Sequence, residues 1–105
     1  MDAEVIASIY LNRGLRGLEE WLGVKIRLID IDFPGGLVKV GDQREIWINR
    51  NLPEWLRLKV LFHEVYHLGT VNGVREIEGL YRFVEQKANK FAQEALKICF
   101  SKSCL

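Results

Sequence analysis

The sequence has little cysteine, histidine or proline, two residues of each, and no apolar run near the roughly 20 residues that a membrane-crossing helix needs. Cys99 and Cys104 lie close together with neither zinc-knuckle nor redox spacing, which argues against a disulfide framework or a cysteine-based structural metal site. The first residues, 1–4, contain no basic leader. We therefore expect a cytoplasmic protein with reduced thiols and no membrane insertion.

The sequence also lacks a large net charge, because it contains fifteen Lys and Arg residues and fourteen Asp and Glu residues. Basic surfaces attract nucleic acid and anionic membranes, so the charge balance favours neither partner. The 105 residues predict a single domain that buries about 60–65% of its unfolded surface. The abundance of Ile, Val, Leu, Glu, Lys and Arg, with few Gln, Ser and Thr, is typical of thermophile proteins.

Hydrophobic periodicity predicts three helices. Asp2 can cap the first helix, which we expect to end at Gly23. A second helix spans 54–68, between a proline and a glycine. A third apolar stripe keeps the helical period over 77–99, and the period is lost over 100–105, which predicts a C-terminal tail. Domain and tail would therefore divide after Cys99.

Three strands are predicted between the first two helices. The stretch 24–33 is rich in β-branched residues, and its alternation shifts by one, as in a bulged strand or a strand buried on both faces. Residues 37–40 and 45–49 predict two short strands joined by a hairpin turn at Gly41 and Asp42. The predicted fold is a small α+β domain with a three-stranded sheet.

Residues 63–67, His-Glu-Val-Tyr-His, are the most informative stretch. On a helix, His63 and His67 lie on the same face one turn apart, the separation that lets two imidazoles bind one metal ion. Glu64 projects from the edge of that face, where it can contact a water molecule. Two core histidines with separate hydrogen-bond partners would need no such spacing. Zn²⁺ suits imidazole nitrogen and three protein ligands, so we predict a zinc site.

A third ligand has to come from elsewhere, and Glu85 is the best candidate. It lies inside the apolar stripe of the last helix, where an unpaired carboxylate is costly to bury. Glu94 lies on the outer face, and Glu76 and Glu78 lie near the uncertain helix start. A partly buried Glu85 that extends to water is the alternative. Asn89, one turn later, could accept a hydrogen bond from a ligand histidine as a second-shell residue.

Two motifs stand out in combination, His63-Glu64-x-x-His67 and Glu85-x-x-Ala88-Asn89-x-Phe91-Ala92. They resemble those of a known family, the gluzincin metallopeptidases, in which two histidines and a downstream glutamate hold zinc. The short chain looks like a minigluzincin, a minimal soluble relative of the catalytic cores of the CAAX-prenyl and HtpX-type membrane peptidases. The resemblance implies that His63, His67 and Glu85 are zinc ligands, that Glu64 is the general base, and that Asn89 replaces a frequent acidic residue.

The expected activity is hydrolysis of peptide bonds in a peptide or protein substrate. Tyr66, Tyr81 and Arg82 are candidates for a donor that stabilises the oxyanion, and Tyr81, one turn before Glu85, is preferred as a catalytic residue. A substrate could pair with an exposed strand edge, for which we predict the strand 45–49.

The predicted C-terminal tail raises a second question about function, namely whether it blocks the metal site. An open metal position can accept a thiol or a carboxylate, so Cys104 or the carboxylate of Leu105 could bind the metal and block the site. Minigluzincins are thought to be latent through their C-terminal segments, so the resemblance implies a zymogen whose partner is its own tail. The sequence leaves open whether the protein is a monomer or a dimer.

Two other functions remain compatible with the same residues. A regulator that cleaves one dedicated partner, similar to ImmA and IrrE-type proteins, would share every site residue. A non-catalytic, zinc-stabilised binding module would keep the metal and need no Glu64.

Overall fold

A computed structural model describes residues 2–69 and 78–103, except the side chains of 78–81 and 102–103. It confirms a small α+β fold, with an N-terminal helix, a three-stranded mixed sheet and two further helices. In chain order the elements are α1 (Ala3–Leu22), β1 (Lys25–Ile29), β2 (Gly35–Val40), β3 (Gln43–Asn49), α2 (Glu54–Leu68) and α3 (Glu78–Ser103).

The sheet has the order β1-β3-β2, so the last strand in sequence lies in the centre. β2 and β3 form the predicted hairpin about Gly41 and Asp42, and β1 runs parallel to β3. The predicted strand 24–33 is too long. β1 ends at Ile29 because its partner ends at Asn49, and the Arg50 amide makes the last hydrogen bond, to the Ile29 carbonyl at 2.9 Å. The shift in alternation therefore marks a strand end, with no bulge.

The helices pack on one side of the sheet. α2 contacts both β2 and β3, while α3 contacts α2 and α1. Along β3, Ile46 and Ile48 are almost fully buried against the helices, as the two-residue period of a strand requires. The largest fully buried side chains are Phe62, Ile6, Leu18, Ile46, Ile48, Leu61 and Val65.

α1 begins with the predicted cap, since Asp2 accepts a hydrogen bond from the Glu4 amide at 2.8 Å. Gly14 interrupts the helix with φ 67° and ψ −162°, a backbone conformation that favours glycine. α1 is therefore two helical segments with a kink between them.

α3 is longer than predicted. It continues to Ser103, four residues beyond the expected end at Cys99, so residues 100–103 are helical. The Cys99 side chain is only 3% exposed and belongs to the core, which anchors the last turns. Cys104 and Leu105 lie outside the described residues. Within the described ranges, no helix combines the length and apolarity that a membrane span requires.

Glu45 is a buried carboxylate on the sheet face away from the helices. Arg27 and the Trp47 indole both donate to its Oε1, at 2.8 and 3.0 Å. The Trp47 and Arg27 hydrogen bonds lower the pKa of Glu45 despite the cost of burial. This carboxylate is thus satisfied by its neighbours and stabilises the fold.

Glu45→Gln should lower the stability at neutral pH, because it removes a carboxylate whose charged form the fold prefers. A depressed folded pKa contributes stability above the unfolded value, about 4.3 for Glu, and loses it as the pH falls towards the folded value. The difference from wild type should therefore shrink in acid. Denaturant unfolding from pH 7 to pH 3 measures this, with Glu94→Gln, an exposed site on α3, as control. A constant difference across that range would contradict the assignment.

Gly35 marks a close approach of β2 to α2. A Cβ added there would lie 2.4 Å from the Trp47 carbonyl oxygen and 2.8 Å from Val60 Cγ1, and φ is 157°. Gly36, its neighbour, has nothing within 4 Å of the same position. Only the first of these two glycines is required by packing.

Gly35→Ala should therefore destabilise the protein by at least about 2 kcal/mol, because backbone strain and the clash add. Gly36→Ala should change the free energy of unfolding by about 0.5 kcal/mol or less. Denaturant titrations of the two variants test the difference. Equal effects would mean that β2 does not approach α2 as closely as described.

Candidate metal centre

The centre begins on α2, which places His63 and His67 one turn apart as predicted. Their ring centroids are 4.7 Å apart with the planes inclined at 74°. The opposite side of the helix is buried in the core through Leu58, Leu61, Phe62 and Val65. The Phe62 ring also makes an edge contact with Tyr10 of α1 at 6.1 Å. Packing of the opposite side of α2 therefore fixes the orientation of the face that carries His63 and His67.

Glu85 of α3 completes the cluster. Its Oε2 lies 3.0 Å from His63 Nε2, and its Oε1 lies 2.6 Å from His67 Nε2. Both histidines thus turn the same ring nitrogen towards one carboxylate. The structure brings together the three residues that the sequence predicted as ligands.

Small residues allow α3 to come this close to α2. Ala88, Ala92 and Ala95 are fully buried, and they follow Glu85 along the same side of α3 at helical spacing. Between Ala88 and Ala92, Phe91 packs its ring against that of Tyr66 of α2, with the ring centroids 5.5 Å apart. These contacts set the position of Glu85 relative to the histidines.

The three residues could hold a metal ion. One possible ligand atom from each residue lies within 4.8 Å of those of the other two. A tetrahedral zinc ion, with bonds of about 2.0–2.2 Å, separates neighbouring ligand atoms by roughly 3.4 Å, which falls below that upper limit. His67 is buried, whereas the side chains of His63 and Glu85 are 21% and 26% exposed. A bound ion would therefore have an accessible side.

The electrostatics favour positive charge at this position. The hydrogen bond from His63 Nδ1 to Glu64 Oε1, at 3.4 Å, is the main reason that the pKa of His63 is raised. The Glu85 carboxylate raises the pKa of His63 further, while burial opposes it. Two carboxylates around two imidazoles thus stabilise a cation, either a proton or a metal ion.

Glu64 differs from an ordinary surface glutamate. It is 8% exposed, and its Oε2 is buried with no hydrogen-bond partner within 2–69 and 78–103. A buried carboxylate oxygen without a partner costs free energy, so the fold does not need it there for stability. The hydrogen-bonding capacity of this oxygen is thus unused within the described residues.

The other residues predicted for the site are described only in part. Asn89 is exposed, and its side chain forms no hydrogen bond to His63 or His67 in the described part of the chain, so its second-shell role stays a prediction. Tyr66 packs against Phe91, and Arg82 is exposed. The Tyr81 side chain and all of Cys104 lie outside the described residues, so their predicted roles also remain predictions.

The predicted substrate edge is wrong. The strand 45–49 belongs to β3, which pairs with β1 on one side and β2 on the other. It has no free edge along that stretch. Sequence reasoning placed the edge next to the metal helix because these segments are adjacent in the chain, whereas strand order depends on non-local pairing.

β2 provides the edge that sequence reasoning missed. In a two-residue hairpin the closing pair, Val40 and Gln43, is hydrogen-bonded, so alternate residues of β2 point their peptide groups outward. The peptide groups of Leu37 and Lys39 point away from β3. Within the described chain, no strand pairs with that side of β2. The glycine contact with Val60 puts the start of this edge one turn before His63.

Comparisons with protein-family models, curated proteins and solved structures found no match to this chain.

Removing the third ligand should weaken metal binding. Glu85→Gln leaves two imidazoles and one neutral amide, so we expect zinc affinity to fall by more than the roughly 10–100-fold cost of losing a second-shell partner. Glu94→Gln, on the exposed side of the same helix, is the matched control. Zinc titration with a competing chelator measures both. Equal affinities in the two variants would exclude Glu85 as a ligand.

Proposed function

We propose that this protein is a zinc-dependent metallopeptidase that hydrolyses peptide bonds. The observation that carries the proposal is the buried Glu64, whose free carboxylate oxygen lies beside a group of two histidines and one glutamate that could hold a metal. A structural metal site needs its ligands and no additional uncompensated carboxylate. The resemblance to minigluzincins at residues 63–67 and 85–92 supports the same activity.

In the proposed mechanism, His63, His67 and Glu85 would hold the ion. A bound zinc ion would supply Lewis-acid polarisation of a carbonyl group and would lower the pKa of a water molecule. Glu64 would accept the proton of the attacking water and deliver it to the leaving amine. Its Oε1 is oriented by His63 Nδ1.

The β2 edge is the best place for an extended substrate. The outward peptide groups of Leu37 and Lys39 can each donate and accept a hydrogen bond, which gives affinity without requiring a particular sequence. The edge begins beside Val60, one helical turn before the metal ligands. A peptide paired there would run past the accessible side of His63 and Glu85.

Glu64→Gln tests the mechanism. The amide keeps the size of the side chain but cannot accept a proton, so zinc affinity should stay near the wild-type value while peptide cleavage falls about 10²–10⁴-fold. Cleavage of a fluorogenic peptide library by zinc-loaded protein is the measurement, with Glu94→Gln as control. A Glu64→Gln variant that cleaves like wild type would refute the role of Glu64.

Latency through the C-terminus is tested with two further variants, Cys104→Ser and a chain ending at Ser103. Both keep α3 and its buried Cys99, which an earlier truncation would remove. If Cys104 blocks the site, both variants should cleave peptides that the intact protein does not; activation of the shorter chain alone would point to Leu105. Zinc binding without cleavage in every variant would favour the non-catalytic binding module or a protease for one dedicated partner.

A further inference from the structure

A cavity of about 110 Å³ lies on the side of α2 away from the metal ligands. Its apolar walls come from α1, both parallel strands and α2, and they include Leu15, Leu28, Ile48 and Leu61. A cavity of roughly 150 Å³ lined by such residues accepts benzene, which has six carbons. The space here therefore suits a branched aliphatic group of about four carbons.

The rim of the cavity is polar and carries both signs of charge. Glu54 and Arg57 lie three residues apart on α2, so their side chains are neighbours on one helix face. The third polar group is the Tyr10 hydroxyl, whose pKa is raised by burial and then by the Glu54 charge, so it stays a hydrogen-bond donor. None of the three side chains forms a hydrogen bond or ion pair with another residue of the described ranges.

The fold keeps this cavity open. Tyr10 and Leu15 lie on opposite sides of the Gly14 kink, so α1 does not cover the gap as a continuous helix would. Leu28 lies on the same face of β1 as Ile26, yet it is 40% exposed where Ile26 is 9% exposed. Part of the core-facing side of the sheet thus remains uncovered at the mouth of the cavity, where a ligand would bury it.

We propose that this cavity binds a small aliphatic amino acid of about the size of leucine. The apolar walls would take the side chain, Glu54 would accept hydrogen bonds from the α-ammonium group, and Arg57 would bind the α-carboxylate. An apolar space with a few convergent polar groups is the usual form of a small-molecule site. The inference does not depend on the metal centre being catalytic.

The test is a titration of the full-length, ¹⁵N-labelled protein with L-leucine, followed by NMR. Saturable shifts should appear at amides around Tyr10, Leu28 and Arg57. Arg57→Gln should weaken binding about tenfold or more, since one charge-assisted hydrogen bond is lost. Arg50→Gln, an exposed arginine in the loop before α2, is the matched control and should bind like wild type.

Two further probes separate the parts of the ligand. Isobutanol carries the branched chain without charges, and glycine carries the charges without the chain, so each should bind at least tenfold more weakly than leucine. If isobutanol binds as tightly as leucine and Arg57→Gln has no effect on binding, the site is only an apolar cavity and the proposal is wrong. The absence of saturable shifts, or shifts confined to the metal face of α2, would overturn it as well.

Discussion

The close packing of α2 against α3 is the contact on which the centre depends. Two histidines one turn apart follow from any α-helix, but the Glu85 carboxylate reaches them only because a second helix packs against the first. The buried alanines of α3 favour close packing, because larger side chains would push the helices apart. Packing within the core thus sets the position of Glu85 beside the two histidines.

Two buried glutamates differ in how far their surroundings satisfy them. Glu45 has an arginine and an indole as partners, and these hydrogen bonds favour its charged form despite burial, so the charged side chain contributes to stability. Glu64 is buried to a similar extent, yet one of its oxygens has no partner in the described chain. Among the described residues, this cost is found beside the cluster of His63, His67 and Glu85. A buried carboxylate is therefore informative about chemistry when its hydrogen bonds are incomplete.

The sheet connects the site to a surface that a peptide could use. Because β3 occupies the centre, β2 keeps a free edge, and Gly35 brings this strand against α2 near His63. The same arrangement leaves β1 on the other side, where Leu28 opens onto the cavity behind α2. One helix therefore separates the face that could hold a metal ion from a mixed apolar and charged cavity.

Local features could be predicted from the sequence because they depend on interactions between residues that are close together in the chain. The spacing of His63 and His67 follows from the helical repeat, the Asp2 cap from a side chain that reaches the nearest amides, and the hairpin from its two-residue turn. Glu85 was also predictable, since a charge inside an apolar stripe needs a reason. Its partners, however, came only from the packing of two helices.

The sequence by itself determined the α+β class, the order of the elements and the identity of the three clustered residues. Only the tertiary structure decided that β3 is central, that β1 ends with its partner at Asn49, and that α3 continues to Ser103. Strand order and strand ends depend on residues far apart in the chain, and periodicity carries no information about which segments become neighbours. The cavity behind α2 has the same origin, because a gap belongs to no single element.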